Sequence, residues 1–430
     1  MKPHRNPLPD GNSAIEAPST AQLEAYPGLP RFTKGQGCWL FDADGHRYFD
    51  ATAGSGALNL GHNHPQVVEA AIAQTRNLIH TGSIFHSDAR DRFVARLGEF
   101  SPFSPCTVLT CVAGTEAVEA ALKVARAYTG RTPVISFSYA YHGKSTGGLS
   151  VTWRQALRKY SPQAADAVQV APYPLHHDPA APMGETEACL DELSTIIGNM
   201  ARAGAPPAAL ILEPVASSEG VIPAGNAFLQ GVQQLARNAG ALLIFDELWT
   251  GMGRCGVPFY GGQAGLEPDL ILVGKSVANG FPISAVLGSQ EILASLPAGL
   301  HTATFAGHPV GCAAGSAVID LMQTTQPWVS ASDQGEALWQ GLKTLQGEMA
   351  FITGLRGEGL LLGFDCVDET GRPSPEKART FAGHAQEKGL LLAYGGRQGN
   401  TVKVTPPLTM DDSEREFLMT TLDTVAKGLS

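Results

Sequence analysis

Long hydrophobic runs are missing from this 430-residue chain. None approaches the ~20 apolar residues of a bilayer-spanning helix, so no membrane association is expected. Basic charge is also short: 30 Lys and Arg stand against 40 Asp and Glu, a net charge of −10. That balance disfavours non-specific binding to nucleic acid or anionic membranes and leaves small-molecule partners open. Cysteine pairs are lacking. The seven cysteines, at 38, 106, 111, 189, 255, 312 and 366, form no Cys-x-x-Cys unit. They read as reduced thiols in a cytoplasm, not as a disulfide framework or zinc motif, and no metal is expected. No apolar segment follows Met1-Lys-Pro-His-Arg-Asn-Pro7, so no secretory signal is expected. Internal repeats and low-complexity tracts are absent too.

What is present is an ordinary apolar content of 43% in a chain long for one domain, which predicts a large domain with a smaller one. Residues 1–20, rich in Pro, Asn, Ser and Thr, read as a flexible or draped arm. Runs 37–41 and 46–49 flank an Asp-Gly turn and predict a hairpin. Pro65 starts a helix to about Leu78. Short apolar strands beginning near 107, 134, 208, 241, 269 and 283 alternate with helical or loop segments. That alternation predicts an α/β fold with a mostly parallel sheet, whose chemistry gathers at the carboxyl ends of its strands. The stretch 152–207 gives little. After residue 310 the texture changes: a long helix of small residues over 311–322, strands at 360–364, 390–393 and 401–404, and a closing helix over 411–428.

The stretch Ala241–Pro282 carries the chemistry. One buried-strand pattern ends on Asp246 and Glu247, and the next delivers Gly274-Lys275. An acid and an amine at neighbouring strand ends suit a cofactor that needs an amine to bond its aldehyde and a carboxylate to keep its ring nitrogen protonated. Pyridoxal phosphate is such a cofactor. Upstream, the strand at 107–111 breaks at Ala113-Gly-Thr-Glu116 and a helical pattern follows, the recipe for a phosphate cradle on free N–H groups and a positive dipole end. The plainer reading is an N-cap by Thr115. Likewise, Asp246 and Glu247 could be a surface pair and Lys275 a solvated lysine. Gly251-Met-Gly-Arg-Cys-Gly256 matches a dinucleotide fingerprint, but Pro258, Gly261 and Gly262 leave no helix for it to open, so it is rejected.

Together, Phe245-Asp-Glu-Leu-Trp-Thr-Gly-Met-Gly-Arg254 and Pro268-Asp-Leu-Ile-Leu-Val-Gly-Lys275, supported by Gly114–Ala117, Tyr141–Lys144, Ile211–Val215, His301–Pro309 and Pro406–Leu408, resemble class III, fold-type I, pyridoxal-phosphate aminotransferases over residues 25–415. The group includes ornithine, acetylornithine, diaminobutyrate and other ω-amino transaminases. The resemblance implies a seven-stranded, mostly parallel sheet in a large domain at 56–310. It also implies a smaller α+β domain built from both termini, 1–55 and 311–430. Lys275 would bond the cofactor aldehyde and Asp246 its ring nitrogen. Tyr141 and Leu248 would cover the two ring faces, Gly114 and Thr115 would bind the phosphate, and His142 and Glu213 would lie at the cofactor. Thr304 would reach the neighbouring subunit's phosphate, which implies a homodimer. The implied reaction moves a terminal amino group, of 2,4-diaminobutyrate or a relative, to a 2-oxo acid by a ping-pong course. An aminomutase or racemase on the same scaffold is the alternative.

Three departures from the relatives bear on substrate. Trp249 stands where many have a glutamine. Lys403 stands where many have a carboxylate-gripping arginine; it is either that grip or a solvated strand residue. Ser55, between Gly54 and Gly56, stands where ornithine-type enzymes have a tyrosine, which opens a small-walled pocket. Arg397 is a candidate for a substitute carboxylate grip.

Overall fold

The computed structural model describes residues 30–161, 167–175 and 185–429; the arm expected at 1–20 lies outside them. The central sheet has seven strands: β1 (Thr107–Cys111), β2 (Val134–Phe137), β3 (Val168–Ala171), β4 (Ala209–Leu212), β5 (Leu242–Asp246), β6 (Leu270–Val273) and β7 (Ser284–Gly288). Their order across the sheet is β1-β7-β6-β5-β4-β2-β3. Only β7 runs against its neighbours; β6, β5, β4, β2 and β3 are mutually parallel.

The strands read as unbroken apolar runs because both sheet faces are covered. Leu242 and Ile244 point into one core, shared with Val118, Ala121 and Leu122 of the helix Gly114–Thr129 (α1). Leu243 and Phe245 point into the opposite, larger core. The strand missed at the sequence level, β3, lies at the sheet edge, where Gln169 is exposed. A half-covered edge needs no continuous apolar run, so its pattern is weak.

The expected hairpin is Trp39–Asp42 with Arg47–Asp50, paired Trp39 to Phe49. Leu390–Leu391 from the distal chain adds a parallel strand to it, so the two ends of the chain share a sheet. Ile352–Glu358, Leu361–Cys366, Thr401–Val404 and Ala393–Gly395 form a separate antiparallel sheet. The closing helix Asp412–Gly428 carries a full capping box between Asp411 and Glu414. No helix of the described residues is long and apolar enough to cross a membrane.

The rejected glycine motif opens no helix. Its Arg254 is fully buried and holds separate parts of the chain together: it donates to the Leu360 carbonyl at 2.9 Å, the Pro406 carbonyl at 2.5 Å and Asn59 Oδ1 at 2.6 Å. Arg254→Met would leave these acceptors buried and unpaired. It is expected to cost about 3–5 kcal/mol, read as a lowered denaturant midpoint.

Candidate active site

Strand ends bring the site together. Asp246 closes β5 in register with Leu272 of the parallel neighbour β6, and Lys275 follows three residues beyond. Both side chains line one cavity of about 360 Å³, with Gly114, Thr115, Tyr141, His142, Glu213, Ser218, Leu248 and Trp249. The surface-pair reading of Asp246 and Glu247 is therefore wrong: they are 3% and 2% exposed. Glu247 faces away from the chemistry and accepts the backbone N–H groups of Tyr260 and Gly261 at 2.6 and 2.8 Å.

Asp246 is fixed on both oxygens. His142 Nδ1 lies 2.7 Å from Oδ2, and the Leu248 N–H donates to Oδ1 at 3.1 Å. His142 thus acts on Asp246 directly, and its Nε2 is buried without a hydrogen-bond partner among the described residues. Glu213, just past β4, accepts the Tyr141 N–H at 2.9 Å and the Ser217 N–H at 3.1 Å. Burial, and next the Asp246 charge, push its carboxyl up.

Lys275 sits at φ 45°, a left-handed conformation that a non-glycine residue adopts only when its surroundings impose it. Its Nζ lies 4.0 Å from the centre of the Trp249 ring, so the solvated-lysine reading is also wrong. Burial lowers the Lys275 ammonium to about 8, against the opposing pull of Glu213 and Asp246. In cofactor-free protein, acylation of Lys275 followed by peptide mass spectrometry should therefore be half-maximal near pH 8. Exposed lysines should reach that point near 10.4.

The first turn of α1 faces the same cavity. Its N-cap residue is Ala113, with no side-chain cap, so Thr115 is not the N-cap. Thr115 Oγ1 instead pairs with Ser145 Oγ at 2.7 Å. Gly143, at φ 102°, approaches Thr115 so closely that a Cβ would lie 2.5 Å from its Oγ1. Leu248 packs between Gly114 and Gly274, where added Cβ atoms would fall 2.9 and 2.7 Å from it. The result is an uncapped helix N-terminus, a flat apolar floor, a fixed carboxylate and an amine in one enclosure, a donor set that fits pyridoxal phosphate.

Trp249 points into the cavity, its indole edge against Gly56 and its Nε1 buried and unpaired among the described residues. Lys403 is 6% exposed, which excludes the solvated-strand reading. Its Nζ donates to the Ser218 carbonyl at 2.7 Å and lies 5.4 Å from the Trp249 ring centre. Burial lowers this ammonium to about 8. Ser55 and Thr304 are exposed, and neither they nor Arg397 line the cavity. Arg397 lies over the Tyr139 ring at 5.6 Å.

Sequence reasoning missed Arg154, which no motif marks and which pairs with buried Glu219 at 2.8 Å beside this site. The exposed Lys144 lines the cavity and was legible only as the end of the Tyr141–Lys144 match.

Comparison with known proteins agrees with this geometry. Residues 24–425 match the Aminotransferase class-III family. Diaminobutyrate--2-oxoglutarate aminotransferase of Haemophilus influenzae is 33% identical over 92% of this chain and 90% of its own length. An alanine/serine racemase of Pyrococcus horikoshii is 30% identical over 94% of this chain and 87% of its own. An amine transaminase from an uncultivated Pseudomonas species, solved with the cofactor bound, superposes with a TM-score of 0.88 at 26% identity over 98% of this chain and 100% of that one. With a fold-type I architecture and a cavity that joins a lysine to a buried aspartate, the chain belongs to the class III aminotransferases, pyridoxal-phosphate-dependent transaminases.

Proposed function

We propose that the enzyme takes its amino group from the terminal amine of a donor such as 2,4-diaminobutyrate and passes it to a 2-oxo acid. The observation that carries this reading is the pair of buried ammonium groups on one indole: Lys275 at 4.0 Å and Lys403 at 5.4 Å from the Trp249 ring centre. Lys403 makes no ion pair among the described residues. A donor carboxylate held by Lys403 leaves the far, ω end of the molecule to reach Lys275. The Haemophilus relative is named for a donor of this kind.

In this reading Gly114 and Thr115 hold the cofactor phosphate with backbone N–H groups, Tyr141 and Leu248 flank its ring, and Asp246, oriented by His142, faces its ring nitrogen. Glu213 keeps Tyr141 in place through its backbone. Bound there, pyridoxal phosphate supplies an electron sink for the pair left when the substrate carbon loses its proton. Lys275, its ammonium lowered to about 8 by burial, is poised to take that proton and return it one position away.

Lys403→Met should raise KM for carboxylate-bearing donors about 10- to 100-fold and leave simple primary amines unaffected, in steady-state assays on paired donors. A donor panel followed by conversion of the pyridoxal to the pyridoxamine form tests the whole reading. Conversion by ω-amines supports it. Turnover without any added 2-oxo acid overturns it in favour of the isomerase, the reading that the racemase relative supports.

We also infer a homodimer in a reducing cytoplasm, with domain limits at 1–55, 56–310 and 311–430. Ile79, Ile84, Phe85, Leu300 and Phe305 are 51–79% exposed, and the His80 ring lies tilted against Phe305, beside Thr304, with ring centres 5.0 Å apart. This apolar surface suits a second copy, which would bring Thr304 to its partner's site. Sedimentation of the holoenzyme as a monomer would refute the dimer. All seven cysteines are free, which suits the compartment.

A further inference from the structure

Outside the cofactor cavity, two side chains that are near each other in sequence and one from far along the chain converge beside the N-terminus of α1. Cys111 ends β1, Glu116 lies in the first turn of α1, and His301 begins the loop that carries Thr304. Cys111 is fully buried, and the side chains of His301 and Glu116 are 7% and 22% exposed. One potential ligand atom from each lies within 4.8 Å of the other two.

We propose that Cys111, Glu116 and His301 form a binding site for a divalent cation of the zinc class. Tetrahedral zinc with bonds of about 2.3 Å to sulfur and 2.0–2.2 Å to nitrogen and oxygen sets ligand–ligand edges of roughly 3.3–3.6 Å. His301 Nε2 stands 3.5 Å from Cys111 Sγ and 3.7 Å from Glu116 Oε1, close to those edges. The carboxylate is already oriented: its other oxygen accepts the Val112 N–H at 2.9 Å, which leaves Oε1 turned to the histidine. Thiolate, imidazole and carboxylate are a zinc donor set, and water completes the fourth position.

One group opposes the metal. Lys123 Nζ lies 3.5 Å from His301 Nδ1 and 3.4 Å from the Leu300 carbonyl. While Lys123 donates to Nδ1, the imidazole proton must sit on Nε2 and point into the site. Metal binding requires the other tautomer, with Nδ1 protonated and Lys123 shifted to Leu300. The thiol proton leaves to solvent when the metal enters. A bound cation would tie the Thr304 loop to β1 and α1. The other cluster of this kind among the described residues, Asp42, Asp44 and His46, is the poorer candidate. Its Asp42 carboxylate is already engaged by the N–H groups of Asp44 and His46 and by the His46 ring.

The test is titration of chelator-treated holoenzyme with Zn²⁺ alone, in competition with a chromophoric chelator, paired with Co²⁺ difference spectra. A single tight equivalent per chain is expected, with the intense visible bands of tetrahedral cobalt and a sulfur-to-cobalt charge-transfer band. Cys111→Ser and His301→Ala should each weaken zinc by more than about 100-fold, beyond what loss of a supporting hydrogen bond causes. His46→Ala should leave binding unchanged. Lys123→Gln, whose amide oxygen can accept from Nδ1, should tighten it about tenfold. Absence of a tight equivalent in the unmodified enzyme, lack of the cobalt–sulfur band, or unchanged affinity in Cys111→Ser each overturns the proposal.

Discussion

Lys275→Ala is expected to lower turnover by about 10⁴-fold, the upper range for loss of a positioned general acid–base group. Two features of the site make the effect large. The amine lies in the same cavity as Asp246, Tyr141 and Trp249, so no other described lysine shares its geometry; Lys144 lines the rim but is exposed. Its ammonium is brought down to about 8 by burial, so a sizeable fraction is free base near neutral pH, which an ordinary lysine is not. The fold should survive: the change removes a cation from a buried site and keeps the left-handed backbone, which alanine tolerates no worse than lysine. A small added alkylamine should restore part of the activity, with the gain rising with amine concentration. Unchanged turnover in Lys275→Ala, or an unfolded variant with no rescue, would sink the assignment.

Asp246→Asn should cost about 10²- to 10³-fold in kcat, the size of a preorganised electrostatic contribution. Only the negative charge holds a proton on a ring nitrogen facing it. The amide keeps the shape and can still accept the Leu248 N–H, now at 3.1 Å from Oδ1. It meets the 2.7 Å His142 contact with an amide edge, which forces a different tautomer or a longer bond. A cofactor analogue permanently alkylated at the ring nitrogen carries the positive charge itself and should recover activity in Asp246→Asn. His142→Leu should reduce kcat less than Asp246→Asn, because it loosens the carboxylate and leaves the charge. If both variants fell equally and the analogue rescued neither, Asp246 would be a structural residue.

Part of this protein was legible in its sequence. Six of the seven central strands, the helix of small residues expected over 311–322, found as Pro309–Thr325, and the closing helix follow from apolar runs and capping residues, because burial on both sheet faces and helix ends impose local patterns. Asp246 and Lys275 could be picked out because each ends a strand, and parallel strands present their carboxyl ends at one edge. Tertiary packing alone decided which way Trp249 points, since only Gly56 leaves room for the indole edge against the chain. It likewise decided between the two readings of Lys403 by burying it, set His142 against Asp246, and joined Arg154 to Glu219 and Cys111 to His301. Cys111 and His301 alone are 190 positions apart, and no local periodicity encodes a contact that arises when separate strand ends meet.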